Sequence, residues 1–99
     1  MKTLDEIKKA SKPACKKYNV VRLAAFGSII LGSATEASDV DLLVEFKNPD
    51  HLPARRYFGL LHQLEDSLGC KVDLLTPASL KNPYFKQQID RTKTNVYAA

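Results

Sequence analysis

The sequence has no apolar run near the roughly 20 residues that a membrane-spanning helix needs, so a transmembrane protein is excluded. Cysteine is scarce: Cys15 and Cys70 lie far apart, and neither has metal-ligand spacing around it. That leaves no basis for a zinc site or a disulfide framework, and points to reduced thiols and a cytoplasmic location. Met1 to Lys9 is charged and lacks the apolar stretch and small-residue cleavage site of a signal peptide, so export is not expected. There is no internal repeat, low-complexity tract or interdomain linker, and at 99 residues the chain is expected to be one domain over 1–99. A chain this short hides about two-thirds of its unfolded surface, so an open groove is expected rather than a deep enclosing cavity.

What is present argues for a folded domain. Apolar residues make up 44% and charged residues 26%, too hydrophobic for intrinsic disorder. Lys and Arg outnumber Asp and Glu by 15 to 11, a net charge of +4 that favours phosphates or an acidic partner. Lys8, Lys12 and Lys16 line one helix face, with Lys9 and Lys17 beside them. With no aromatic-basic signature of an RNA or DNA module, this row reads as a solvated face, and direct nucleic-acid binding is not expected. His51 and His62 lack ligand spacing and read as a loop residue and a helix-surface residue.

Thr3 and Glu6 have capping-box spacing, and Leu4, Ile7, Ala14 and Tyr18 recur at helical intervals, which predicts a helix over 4–18 kinked at Pro13. Asn19 suits a left-handed stop, and Val20 to Phe26 reads as a first strand ended by Gly27-Ser28. Residues 29–38 suit a short helical turn and a loop. Val40 to Phe46 alternates as a strand, with Val40, Leu42, Val44 and Phe46 on one face and Asp41, Leu43 and Glu45 on the other, so that Asp39 and Asp41 share a face. After Pro53, Tyr57, Leu61, Leu64 and Leu68 mark a second amphipathic helix closing at Gly69. Tyr57, Phe58, Leu60, Leu61 and Leu64 are expected mostly in the core, and the width of their stripe is compatible with a homo-oligomer. Val72 to Leu75 is a third strand, Thr76-Pro77 opens a helical turn, and Phe85 with Ile89 mark a last helix after Pro83. The expected fold is α+β, a small mixed sheet with helices packed on one face.

The chemistry concentrates in Gly27-Ser28, ten intervening residues, then Asp39-Val40-Asp41. A glycine lets the backbone approach a phosphate, while a serine hydroxyl and the amides opening a turn can donate to phosphate oxygens. Carboxylates at i and i+2 of a strand project the same way, roughly 6–7 Å apart, which suits a hard divalent cation such as Mg²⁺ shared with substrate phosphates. Asp73, on the third strand, joins them if the two strands are neighbours. Without a cation the trio repels itself, so the site should raise a pKa or recruit metal.

FGS, SDVDLLVEF and KVDLL together resemble the nucleotidyltransferases of the DNA polymerase β superfamily, specifically the minimal nucleotidyltransferase (MNT, MntA-like) family, over almost the whole chain. The resemblance implies a nucleotidyltransferase fold and Mg²⁺-dependent transfer of AMP from ATP to a hydroxyl. Gly27 and Ser28 would form the phosphate-binding pair, and Asp39, Asp41 and Asp73 the metal-binding, catalytic acids. It also implies an antitoxin that adenylylates a HEPN-domain toxin partner. Similar proteins often carry an arginine in the turn after Gly-Ser, where this chain has Ile29, Ile30 and Leu31. Three consequences are open: weak nucleotide binding, a basic group borrowed from Lys47, Arg55 or the partner, or lost turnover. Two other functions fit the residues: a non-catalytic antitoxin that inhibits by binding, and a transferase for a small hydroxylated molecule.

Overall fold

The computed structural model describes residues 3–27, 30 and 39–99. Ser28 and, Ile30 apart, the turn and loop expected over 29–38 lie outside them.

Helix α1 (Leu4–Lys17) starts where Thr3 accepts a hydrogen bond from the Glu6 amide at 3.2 Å, and continues through Pro13, the expected kink position. Asp5 and Glu6 in its first turn and Lys16 and Lys17 in its last oppose the helix dipole favourably. Its buried side is Ile7, Ser11, Ala14 and Cys15. The Ser11 hydroxyl meets the cost of burial by donating to the Ile7 carbonyl at 2.6 Å. Asn19 takes the left-handed conformation and turns the chain into β1 (Val20–Phe26).

Strand β2 (Val40–Phe46) runs antiparallel to β1. Helix α2 (Pro53–Leu68), closed by the left-handed Gly69, then carries the chain across to β3 (Val72–Leu75), which lies parallel to β2 as such a crossover requires. A 3-10 turn over Pro77–Ser79 begins at Thr76, and α3 (Pro83–Thr92) follows, with Asn82 accepting from the Tyr84 and Phe85 amides. A further strand, β4 (Thr94–Ala98), was not expected from the sequence; it pairs antiparallel with β1. Among the described residues the strands form one mixed sheet in the order β3-β2-β1-β4.

Strand alternation divides the sheet as the pattern requires. On one face Leu23, Ala25, Val40, Leu42, Val44, Val72, Leu74 and Val96 pack against Ile7, Ala14 and Cys15 of α1 and Leu60, Leu64 and Leu68 of α2, the expected helix-covered face. On the other, Phe26, Leu43 and Ile89 of α3 are buried with Leu75 and Leu80 against them, a smaller cluster. Cys15 sits deep enough that burial pushes its thiol pKa up to about 12, which makes it an inert packing residue. Phe58, expected in the core, is instead half-exposed, its ring set edge-on against Tyr57. His51 and His62 are exposed, as expected. A Cβ on Gly59 would come within 2.5 Å of the Tyr18 ring, so this glycine allows α2 to approach the end of α1 closely. Among the described residues no helix is long and apolar enough to cross a membrane.

Arg56 secures the end of the molecule where α1 meets β1 and β2 meets α2. Only 6% exposed, it uses its guanidinium donors on five backbone carbonyls: Tyr18, Asn19, Lys47, Asn48 and His51, at 2.6–3.1 Å. Its Cζ lies over the Phe46 ring, 4.8 Å from the ring centre, a cation–π contact. A buried cation is costly unless fully hydrogen-bonded; here every donor finds an acceptor. The left-handed Asn19 and Asn48 are among the residues whose carbonyls it holds.

Candidate active site

Residues directly opposed on neighbouring strands present their side chains on the same face. Asp41 faces Phe26 of β1 and Asp73 of β3, so Phe26, Asp41 and Asp73 form one row across three strands. The next row is Ala24, Leu43 and Leu75, the last two within the small apolar cluster. The acids therefore sit at the margin of an apolar patch. Asp39 precedes β2 by one residue and is exposed, as is Asp73, whereas Asp41 is half-buried.

Gly27 ends β1 with φ +75°, where only glycine is comfortable. Any Cβ there would lie 2.3 Å from Asp41 Oδ2, so the bend and the central carboxylate occupy adjoining space. The Ile30 amide donates to the Gly27 carbonyl at 3.1 Å, turning the chain as it leaves the bend. Sequence reasoning placed Gly27, Asp39, Asp41 and Asp73 in one region, and the fold brings these four together; Ser28 lies outside the described residues.

Burial raises the Asp41 pKa, and the negative charges of Asp73 and then Asp39 raise it further. The three carboxylates thus share one electrostatic field, and a cation placed there would relieve it. Among the described residues no group of three or more His, Cys, Asp or Glu side chains is placed to hold a metal ion by itself. The donor set is nonetheless hard carboxylate oxygen. It fits an ion such as Mg²⁺ that takes one or two carboxylates and keeps its remaining positions for water and phosphate oxygens. Asp41 is the central candidate ligand, with Asp39 and Asp73 on either side.

Two surroundings were not legible beforehand. Burial and then the Asp73 charge raise the pKa of Tyr57, whose hydroxyl donates to the Leu74 carbonyl of β3; helical spacing had marked this residue only as core. Phe26, noted only as apolar, is the strand partner of Asp41, and its ring meets Phe85 edge-on. The substitute cations proposed from the sequence are poorly placed: Lys47 follows β2 six residues beyond Asp41, roughly 20 Å along an extended strand, and Arg55 lies farther on in α2. A groove of about 900 Å³ lies at that same far end, lined by Phe46, Pro49, Tyr57, Leu74, Thr76 and Pro77 among others. None of the three acids lines it.

Comparison with known proteins agrees with this fold. The nucleotidyltransferase domain family matches residues 7–93. A Methanocaldococcus jannaschii protein named as a candidate protein adenylyltransferase is 45% identical over 94 residues, covering 91% of this chain and 94% of that protein. The protein adenylyltransferase MntA of Thermococcus cleftensis is 37% identical over 86 residues, covering 83% of this chain and 85% of that protein. The solved structure of a candidate minimal nucleotidyltransferase superposes with a TM-score of 0.77 at 30% identity, over 94% of this chain and 95% of that one. A structure of a tri-AMPylated Shewanella oneidensis HEPN toxin in complex with MNT antitoxin contains a chain of the same fold. Its TM-score is 0.67 at 17% identity, over 98% of this chain and 74% of that one. This chain therefore belongs to the nucleotidyltransferase domain family, in its minimal, MntA-like form, and is an enzyme of the nucleotidyltransferase class.

Proposed function

We propose that the protein transfers AMP from ATP, with Mg²⁺, to a hydroxyl of a protein partner, and that the partner is a HEPN-domain toxin which this modification neutralises. The observation that carries the reading is the row of Asp41 beside Asp73, with Gly27 closed against Asp41. Asp39 and Asp41 would hold the cation and, through it, the triphosphate, and Gly27 and Ser28 would take its phosphates. When bound, the metal supplies positive charge that polarises the α-phosphate and offsets charge developing on pyrophosphate. Asp73, exposed at the end of the row, accepts the proton of the attacking hydroxyl. The new bond joins that oxygen to the α-phosphorus, the bond from α-phosphorus to the bridging oxygen breaks, and pyrophosphate leaves. The relatives named as protein adenylyltransferases support a protein acceptor, and the toxin–antitoxin structure of like fold supports the class of partner.

Incubating the chain with a co-encoded HEPN protein, Mg²⁺ and α-labelled ATP tests the reading. Label should pass to the partner with the wild type and fall at least about 100-fold with Asp41→Asn, the scale expected when an electrostatic catalytic group is removed. Inhibition of the partner that survives Asp39→Asn and Asp41→Asn together would contradict the reading and favour an antitoxin acting by binding alone. Label passing to a small hydroxylated acceptor in the absence of any partner would contradict the protein acceptor.

A further inference from the structure

Helix α3 is held over the sheet face that carries the acids. Asn82 accepts from the Tyr84 and Phe85 amides and fixes its first turn, and Ile89 is buried against Phe26 and Leu43. Phe85 lies four residues before Ile89, on the same helix stripe. Its ring meets the Phe26 ring edge-on, with centroids 6.3 Å apart and planes at 80°. Phe26 is the strand partner of Asp41 and immediately precedes Gly27. A ring that remains 42% exposed is thus anchored at one side and stands a single aromatic side chain away from the acid row. Tyr84, 78% exposed, projects about 100° further round the helix.

We propose that Phe85 is the platform on which the base of the bound nucleoside triphosphate stacks. The inference rests on the nucleotidyl-transfer reading above and adds to it a subsite for the base. An aromatic ring already fixed by its neighbours offers a π face with little rotamer entropy left to lose, and base–aromatic stacking does not depend on which base is present. Phe26, itself buried, links the strand end at Gly27 to the Phe85 ring, so that phosphates at Gly27 and a base at Phe85 would occupy neighbouring positions.

The experiment is equilibrium binding of ATP and of inorganic tripolyphosphate, each with Mg²⁺, to the full chain and to Phe85→Ala, Phe85→Leu and Phe85→Trp. Phe85→Leu keeps apolar bulk should the alanine variant fail to fold. The expected result is ATP affinity lowered about 10-fold or more in the alanine and leucine variants, with tripolyphosphate affinity within about twofold of wild type. The sequence contains no tryptophan, so Phe85→Trp supplies the sole indole reporter. Its ATP affinity should match the wild type, and its fluorescence should respond to ATP but not to tripolyphosphate. Variants that bind ATP as the wild type does would overturn the proposal, as would a ring occupied by a side chain of the acceptor protein. A wild-type protein that binds neither ligand would overturn the nucleotidyl-transfer reading and this inference with it; one that binds both equally would overturn only the inference.

Discussion

At Asp41 stability and the proposed activity oppose one another. Its folded-state pKa is raised above the ordinary 3.8, by burial first and then by Asp73 and Asp39. Between the unfolded and folded values the native state holds more protons, so ionisation of Asp41 weakens the fold as pH rises through that window. In the presence of a chelator, Asp41→Asn should raise the Tm at neutral pH by a few degrees, with the gain shrinking as pH falls toward 3.8. Thermal melts across pH check this, and a Tm lowered by the substitution would contradict it. Gly27→Ala has the opposite character. A methyl group 2.3 Å from Asp41 Oδ2, at a positive φ, should cost about 1–3 kcal/mol. It should also displace the carboxylate, so that denaturant unfolding and AMP transfer both suffer.

Among the elements, the connections that place the strands carry the strongest constraints. Arg56 ties five carbonyls of two turns together, and removing it leaves those acceptors to find water. Arg56→Met should lower stability by about 3 kcal/mol, and Arg56→Lys by nearly as much because an ammonium cannot reproduce the planar fork. Arg55→Met at the exposed neighbouring position should change stability by less than about 0.5 kcal/mol. Paired urea titrations make the comparison. Ile89→Ala should cost about 2–4 kcal/mol, because this is the buried side chain through which α3 meets Phe26 and Leu43. Its circular dichroism should show whether α3 loosens before the rest unfolds.

At the scale of the whole molecule, alternation in VDLLVEF, helical spacing after Pro53 and the turn chemistry of Asn19 and Gly69 were legible because each is a local rule that the fold obeys. The meeting of Asp41 with Asp73 needed β2 and β3 to be neighbours; a helix between two short apolar strands implies that pairing, and the parallel register delivers it. Strand β4 was missed because only Val96 of its five residues is buried, leaving almost no alternation to read. Arg56 was missed because nothing local separates a buried guanidinium from the exposed Arg55 beside it; its five acceptors come from turns far apart in sequence. Phe85 was read as a helix marker because its ring contact joins α3 to β1 across most of the chain. In the proposed reaction Asp41, with Asp39 and Asp73 beside it, would hold the cation that binds the triphosphate. Anomalous diffraction from crystals grown with Mn²⁺ and a non-hydrolysable ATP analogue tests it most directly. A manganese peak is expected between the Asp41 carboxylate and the phosphates, and none in Asp41→Asn; analogue bound with its metal away from Asp41 would rule out this role for the residue.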